Sequence, residues 1–253
     1  MNLKKLKKGA EAFIKIICYE GLTMQMVIIC GGLGTRLGHL TKYTPKSMIE
    51  IEGKPFLEYQ IENLKKQSVK DIVLCVGHLS EKIEEYFGNG ERFGVNLKYS
   101  FENDKLLGQI GAVKNAEALL KDTFFIMYGD SYLSIDLHKV HNFFMQNNKP
   151  ALMVVYKNQD KYDRSNIIIQ DNMVIGYGEK QRTRDMVYID YGTSVFRKKV
   201  LEYIPKDTPY STEEFFSDLI KKQELLAYES EKRFYHIGDP ESFEDFRNYI
   251  MIK

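Results

Sequence analysis

Short apolar runs alternate with amphipathic helical segments from Met26 onward, and this alternation is the feature that most constrains the fold. The runs lie at 27–30, 72–76, 97–101 and 124–128. Because they are mostly apolar, they predict parallel strands that are covered by helices on both faces and joined by right-handed crossovers. The first half of the chain therefore predicts an α/β fold with a doubly wound, mostly parallel, Rossmann-like sheet.

The pattern changes in the second half of the chain. Strand-like segments at 151–156, 166–170, 174–177 and 187–196 follow one another with only short helical pieces between them. This spacing is typical of antiparallel strands. It predicts a smaller, partly antiparallel C-terminal portion.

The domain organisation is predicted to be simple. The chain has no internal repeat, low-complexity tract or long linker, so residues 26–253 are predicted to form one domain with halves at 26–150 and 151–253. Residues 1–25 form a separate basic extension with apolar residues at helical spacing. Two interpretations stay open for it, an accessory amphipathic helix and extra codons ahead of a later start.

Composition excludes several classes of protein. Lys and Arg number 36 against 35 Asp and Glu, so the chain has no strong field for a nucleic acid backbone or an anionic membrane. No apolar stretch approaches the ~20 residues of a membrane span, which predicts no stable membrane insertion. Three cysteines without a C-x-x-C pair predict a reduced, cytoplasmic protein. A homo-oligomer is compatible with this sequence.

A glycine-rich segment follows the first predicted strand. Gly31, Gly32 and Gly34 allow the backbone to approach a phosphate group, and Arg36 adds a permanent planar cation. The spacing matches neither the P-loop signature nor the dinucleotide signature G-x-G-x-x-G. The segment therefore predicts a phosphate site outside those two classes.

Two further features are predicted to meet this glycine segment. Lys46 follows Pro45, so a second cation can converge on the same polyphosphate. Asp130 follows Gly129 at the end of an apolar strand, where a carboxylate can hold a divalent ion that bridges phosphates. In a doubly wound sheet these strand ends share one edge, which is where ligands bind.

Together, G-G-L-G-T-R-L and the following T-x-x-x-P-K-S-M resemble the signature of the sugar-1-phosphate nucleotidyltransferases. The resemblance runs from Met26 to the C-terminus and includes G-K-P-F at 53–56, L-L-G-Q-I-G-A-V at 106–113, Y-G-D-S at 128–131 and G-E-K at 178–180. The chain is most similar to the small bacterial branch that includes the heptose-1-phosphate guanylyltransferases.

The resemblance implies an activity. A nucleoside triphosphate and a sugar 1-phosphate condense to an NDP-sugar and pyrophosphate, with Mg²⁺ as cofactor, in the synthesis of surface polysaccharides. Guanine is favoured as the base, with CTP and dTTP as alternatives. By this resemblance, residues 26–150 form the nucleotide-binding half and residues 151–253 form the sugar-phosphate half.

The resemblance also implies roles for individual residues. The catalytic residues are Arg36, Lys46 and Asp130, and Asp130 is also the metal ligand. The residues implied to bind nucleotide are Gly31, Gly32, Gly34, Thr35, Gly108, Gln109 and Gly111. The residues implied to bind the sugar phosphate are Glu179, Lys180 and His236.

One departure from the family pattern leaves alternatives open. His236 stands where the family usually has a second metal-binding aspartate. Imidazole is a poor ligand for Mg²⁺, so we expect His236 to donate a hydrogen bond to a phosphate or sugar oxygen instead. A catalytically weak, regulatory nucleotide-sugar-binding protein is one alternative. A glycosyltransferase is another, although the chain has no Asp-x-Asp triplet.

Overall fold

The structure is a computed structural model, and it describes residues 24–32, 34, 37–38, 41–102, 105–178 and 182–253. The predictions made for residues 1–23 and for Thr35, Arg36, Glu179 and Lys180 lie outside the described residues.

The described chain alternates strands and helices in its first half, as predicted. The strands are β1 (Gln25–Ile29), β2 (Glu50–Ile51), β3 (Lys54–Pro55), β4 (Asp71–Val76), β5 (Asn96–Phe101), β6 (Thr123–Tyr128), β7 (Ser131–Tyr132), β8 (Ala151–Lys157), β9 (Ile167–Gln170), β10 (Met173–Tyr177), β11 (Tyr188–Arg197), β12 (Leu225–Ser230) and β13 (Tyr235–His236). The α-helices are α1 (Phe56–Lys66), α2 (Ser80–Phe87), α3 (Gly108–Asn115), α4 (Leu137–Gln146), α5 (Thr212–Lys221) and α6 (Pro240–Ile252).

Nine of these strands form one mixed sheet in the order β5-β4-β1-β6-β11-β8-β12-β10-β9. The four strands of the first half, β5, β4, β1 and β6, pair in parallel. Strand β11 pairs antiparallel with both β6 and β8, and β12 returns parallel to β8. The partly antiparallel portion therefore extends the same sheet.

Helices cover both faces of the sheet because the strands alternate their buried side chains. Met26 and Ile28 face one core, which also holds the apolar sides of α1, α2 and α4. Val27 faces the opposite core, built with α3 and α5. The predicted α/β fold class, with helices on both faces, is confirmed.

A third, smaller core attaches the C-terminal helix to the end of the sheet. Phe246 on α6 is fully buried and makes an edge-to-face contact with Phe56, with ring centroids 4.9 Å apart. Strand β13 pairs antiparallel with β7, which places His236 opposite Ser131. This core therefore fixes the segment before α6 beside the carboxyl end of β6. No helix in the described part of the chain is long and apolar enough to cross a membrane.

Candidate active site

A cavity of about 970 Å³, here called the strand-end cavity, opens at the carboxyl ends of β1 and β6. Nine of the predicted site residues lie among the described residues, and eight of them line this cavity: Gly31, Gly32, Gly34, Lys46, Gly108, Gln109, Asp130 and His236. The ninth, Gly111, does not line it. The structure thus brings together segments that lie more than 200 residues apart in the chain.

The glycine segment is held in a conformation that requires glycine at one position. Gly34 has φ +63°, and an added Cβ would lie 2.8 Å from Cγ2 of Thr41 and 3.1 Å from Cβ of Lys46. The Thr41 hydroxyl donates to the carbonyl of Gly34 at 3.1 Å. At Gly32, in contrast, an added Cβ would meet no atom within 4 Å, so its backbone borders open space in the cavity.

Lys46 and Asp130 form an ion pair inside the cavity. Nζ of Lys46 lies 2.5 Å from Oδ2 of Asp130, and their side chains are 13% and 26% exposed. Pro45 leads Lys46 into a 3-10 turn with Ser47 and Met48. Lys46, which follows Pro45, thus contacts the carboxylate at the end of β6. The sequence analysis had placed both residues at this edge of the sheet.

Three hydrogen bonds fix the backbone around Asp130. The N–H of Gly129 donates to the carbonyl of Ile29 at 2.9 Å, and an added Cβ on Gly129 would lie 2.8 Å from the same oxygen. Gln60, buried on α1, donates to the carbonyls of Tyr128 and Ser131 at 3.0 and 2.7 Å. These bonds hold the chain on both sides of Asp130.

The other end of the glycine segment meets a carboxylate that the sequence prediction missed. Glu102 directly follows β5, lines the cavity, and accepts a hydrogen bond from the N–H of Leu107 at 2.6 Å. Its second oxygen lies so close to the Cα of Gly31 that a Cβ there would clash with it. Burial raises the pKa of Glu102, and the hydrogen bond from Leu107 opposes that shift. Its position at the end of a parallel strand was the available signal.

The L-G-Q-I-G segment forms the first turn of α3 and is tied to a neighbouring loop. The N–H groups of Ile110 and Gly111 both donate to the carbonyl of Tyr210 at 3.2 Å. An added Cβ on Gly111 would lie 2.9 Å from Cβ of Leu107 and 3.1 Å from the carbonyl oxygen of Thr208. Gly111 therefore permits close packing of α3 against this loop, and its role toward the nucleotide stays a prediction. Gly108 and Gln109 do line the cavity.

His236 lies beside Asp130, since the N–H of Ile237 donates to the carbonyl of Asp130 at 2.9 Å. Its Nδ1 accepts from the N–H of Gly238 at 3.0 Å. Burial lowers the pKa of His236, although the carboxylates of Asp130 and Asp239 oppose the shift. The ring is therefore neutral at pH 7, with its proton on Nε2, which lies 3.2 Å from Oγ of Ser242.

A second missed carboxylate lines the cavity on the sugar-phosphate half. Burial raises the pKa of Asp190 on β11 to about 6, and hydrogen bonds from Gly192 and Tyr128 oppose that shift. The sequence prediction considered residues that directly follow a strand. Asp190 lies within a strand, so that prediction missed it. Arg164 and Arg182 also line the cavity, and Arg182 forms an ion pair with Asp160 at 2.6 Å.

The donor set suits a substrate-borne metal better than a resident one. No group of three or more His, Cys, Asp or Glu side chains that could bind a metal ion occurs among the residues described. Mg²⁺ in nucleotide sites is held by one or two carboxylates, the phosphates and water. Asp130 offers a hard carboxylate oxygen of the kind that this arrangement uses, and its partner Lys46 carries a positive charge.

The cavity holds no activated protein nucleophile among its described residues. Cys30 lines it next to the glycine segment, but burial raises the pKa of this thiol to about 12, so it stays protonated and inert. A site with cations, a carboxylate and a glycine backbone is equipped to position and neutralise phosphates.

Comparisons with known proteins show which family this chain is similar to. The family model for nucleotidyl transferases matches residues 25–251. The D-glycero-alpha-D-manno-heptose 1-phosphate guanylyltransferase of Campylobacter jejuni is 36% identical over 88% of this chain and 98% of its own length. The enzyme of that name from Aneurinibacillus thermoaerophilus is 30% identical over 90% of this chain and its whole length.

Solved structures show the same fold. The crystal structure of HddC from Yersinia pseudotuberculosis complexed with GMP-PN superimposes with a TM-score of 0.76 at 28% identity, covering 90% of this chain and all of that one. The matched residues include the glycine segment, Lys46 and Asp130, which together line one cavity. This chain therefore belongs to the nucleotidyl transferase family.

Proposed function

We propose that this chain is a sugar-1-phosphate nucleotidyltransferase that joins the guanylyl group of GTP to a sugar 1-phosphate and releases pyrophosphate. The observation that carries the proposal is the convergence of Lys46, Asp130 and the glycine segment at one strand-end cavity. Two similar relatives bear the name of a heptose 1-phosphate guanylyltransferase, and HddC was crystallised with GMP-PN. A cytoplasmic role in polysaccharide synthesis fits this reaction and the sequence.

The reaction requires positioning and charge neutralisation. A phosphate oxygen of the sugar 1-phosphate attacks the α-phosphorus of the triphosphate, and the bond between that phosphorus and the bridging oxygen to the β-phosphorus breaks. The electron pair leaves with pyrophosphate. Lys46 balances the charge that develops on the phosphates, and the backbone of Gly31 and Gly32 permits their close approach. Arg36 is assigned to the same task from the sequence alone.

The residues present fit a magnesium ion that enters with the triphosphate. Asp130 is the carboxylate that would hold it, with phosphate oxygens and water completing the coordination. When bound, the ion neutralises and aligns phosphate oxygens. Lys46 lies against Asp130 and has three donors, so its ammonium would be placed to contact phosphate oxygens beside that carboxylate.

Glu102 supports guanine as the base. It lines the cavity together with Gly108 and Gln109, at the opposite side of the glycine segment from Asp130. An ionised carboxylate only accepts hydrogen bonds, and it can accept from two adjacent donors. Guanine presents N1–H and N2–H₂ side by side, whereas uracil, thymine and cytosine have no such pair. We assign Glu102 to this edge of guanine.

The acceptor phosphate is assigned to the half of the cavity near Arg164. This guanidinium lines the cavity and is exposed, so it is accessible to an anionic ligand. Glu179 and Lys180 are proposed from the sequence to meet the sugar phosphate in the same half. His236, which lines the cavity between this half and Asp130, can donate only through Nε2–H.

The test is a matrix of nucleoside triphosphates against sugar 1-phosphates, read by magnesium-dependent release of pyrophosphate. We expect one dominant pair containing GTP and a hexose or heptose 1-phosphate. Glu102→Gln should lower the preference for GTP over dTTP by at least ~10-fold, the effect of one lost hydrogen bond to a charged acceptor. Glu117→Gln is the matched control, since Glu117 pairs with Lys114 and does not line the cavity.

Two results would contradict the proposal. The regulatory alternative would be supported if no combination of substrates released pyrophosphate and a finished nucleotide-sugar bound tightly. A dominant pair with CTP or dTTP would refute the assignment of guanine while keeping the reaction class.

A further inference from the structure

One polar side chain lies buried in an otherwise apolar face of α1. Gln60 is 1% exposed, and the other buried residues of this face, Leu57, Ile61 and Leu64, belong to the core on one face of the sheet. A buried amide costs free energy unless its donors and its acceptor find new partners. The proposed reaction does not use Gln60 directly, so its place in the fold needs another explanation.

The amide group of Gln60 bridges two carbonyl groups that lie on either side of Asp130. Its Nε2 donates to the carbonyl of Tyr128 at 3.0 Å and to that of Ser131 at 2.7 Å. Because both hydrogens belong to one planar amide group, a single side chain sets the relative position of the two carbonyls. Only residues 129 and 130 lie between Tyr128 and Ser131. The bridge therefore fixes the short segment that presents the Asp130 carboxylate.

The acceptor of the same amide group is not satisfied. Oε1 of Gln60 is buried and has no hydrogen-bond partner within the described part of the chain. A buried acceptor without a partner lowers stability. Local conflicts of this kind concentrate at functional sites, where the position of a group matters more than stability. This second observation supports a functional reason for Gln60.

The same helix also holds the segment that carries Lys46. This lysine lies in the 3-10 turn that precedes β2. The hydroxyl of Tyr59 donates to the carbonyl of Ile51 on β2 at 2.8 Å. Tyr59 and Gln60 are consecutive residues of α1, so neighbouring side chains of one helix hold the chain near each member of the ion pair between Lys46 and Asp130.

We propose that Gln60 is a positioning residue that fixes the Asp130 carboxylate beside Lys46 and thereby sets how tightly a divalent cation is held with the nucleotide. This inference rests on the proposed function, in which Asp130 is the carboxylate that would hold that ion. Gln60 does not line the strand-end cavity, so it acts through the backbone of its neighbour. Substitution of residues that orient a metal ligand typically costs ~10–100-fold in metal affinity or activity.

The experiment measures binding rather than turnover. The α,β-methylene analogue of the triphosphate preferred in the substrate matrix is titrated into the protein by calorimetry, with and without Mg²⁺. We expect Mg²⁺ to tighten binding to the unaltered protein and Asp130→Asn to remove this effect. Gln60→Met keeps the length of the side chain and removes its donors. It should weaken binding in Mg²⁺ by ~10-fold or more and leave binding without Mg²⁺ unchanged.

Asn63→Leu is the matched control. Asn63 lies one turn further along α1 and donates to the carbonyl of Leu133 at 2.7 Å, three residues beyond Asp130. Its loss should lower the melting temperature but leave the effect of Mg²⁺ on binding unchanged. In the Asp130→Asn background, Gln60→Met should not change the effect of Mg²⁺ any further, because two residues that act through one carboxylate are not additive.

A second variant keeps the test decisive if Gln60→Met does not fold. Gln60→Asn keeps an amide that is one methylene group shorter, and we expect a smaller loss of binding, again only in Mg²⁺. An unchanged effect of Mg²⁺ in a folded Gln60 variant, or an equal loss in Asn63→Leu, would overturn the positioning role. Absence of nucleotide binding to the unaltered protein in both conditions would instead refute the proposed function, so the two failures are distinct.

Discussion

Lys46 and Asp130 are 84 residues apart in sequence, and their side chains meet at 2.5 Å in the strand-end cavity. Each neutralises the other in the free protein. A polyphosphate with its metal offers each group a new partner of opposite charge. The ammonium has three donors and the carboxylate two oxygens, so under the proposed function a ligand that carries phosphate groups could share the pair or open it.

Removal of the lysine should impair turnover far more than stability. We expect Lys46→Ala to lower kcat by ~10²-fold or more, because one donor to the developing charge is lost. Partly exposed ion pairs contribute about 0–1 kcal/mol to folding, so the melting temperature should shift little. Lys54→Ala is the matched control, since Lys54 Nζ lies 2.8 Å from Glu62 Oε1 outside the cavity. A large fall in melting temperature with normal kcat would show a structural role.

Two glycines of the same segment should respond differently to alanine. Gly34→Ala places a side chain at φ +63° and against Thr41, so we expect a loss of ~1–2 kcal/mol or more in stability. Gly32→Ala meets no protein atom within 4 Å, so the free protein should melt normally. We expect its KM for the triphosphate to rise, because the added methyl group occupies space assigned to a phosphate. Equal melting behaviour of the two variants, measured by calorimetry, would contradict this assignment.

Much of this site could be predicted because local signals coincide with strand ends. The apolar runs at 27–30 and 124–128 have the length and composition of buried parallel strands, and the residues that follow them carry the glycines and Asp130. Parallel strands bring their carboxyl ends to one edge. The position of the cavity could therefore be predicted from the hydrophobic pattern of the two runs and from the residues that follow each of them.

The other parts of the fold and the site depend on contacts between distant segments of the chain. Local sequence patterns do not encode such contacts. The insertion of β11 between β6 and β8 is a long-range pairing, and the irregularity that directs Asp190 into the cavity lies inside a strand. Gly111 has the motif spacing of a ligand-binding glycine, and in the structure it also packs against the loop at Thr208. The motif spacing does not encode that packing contact.

His236 and Asp130 are neighbours with different expected roles. Asp130→Asn should abolish turnover, because it removes the charge and oxygen donor assigned to the metal. His236→Ala should lower kcat only about tenfold, the effect of one hydrogen bond of ~1 kcal/mol. Since Nδ1 already accepts from Gly238, this bond would come from Nε2–H, which the ligand would share with or take from Oγ of Ser242 at 3.2 Å. Equal inactivity of the two variants in saturating Mg²⁺, or activity only with Mn²⁺ or Co²⁺, would contradict the difference.

Asp190 should make folding stability depend on pH in a direction opposite to that of an ion-paired carboxylate. Burial raises its pKa from 3.8 to about 6 in the folded state. Between those two values the folded chain binds more protons than the unfolded chain, so the contribution of Asp190 to stability falls as pH rises. Below the unfolded value both states are protonated, and the penalty for the buried charge disappears.

Asp190→Asn removes this charge and keeps an oxygen that can accept from Gly192. We therefore expect the variant to gain stability relative to the unaltered protein as pH rises from 4 to 7, by about 2–4 °C in melting temperature for each ~1 kcal/mol. Calorimetric scans across this range, with Asp185→Asn as the exposed control, measure the difference. A difference that stays constant or shrinks with rising pH would mean that a cation accompanies Asp190 in the folded protein, because such a partner would hold its pKa down.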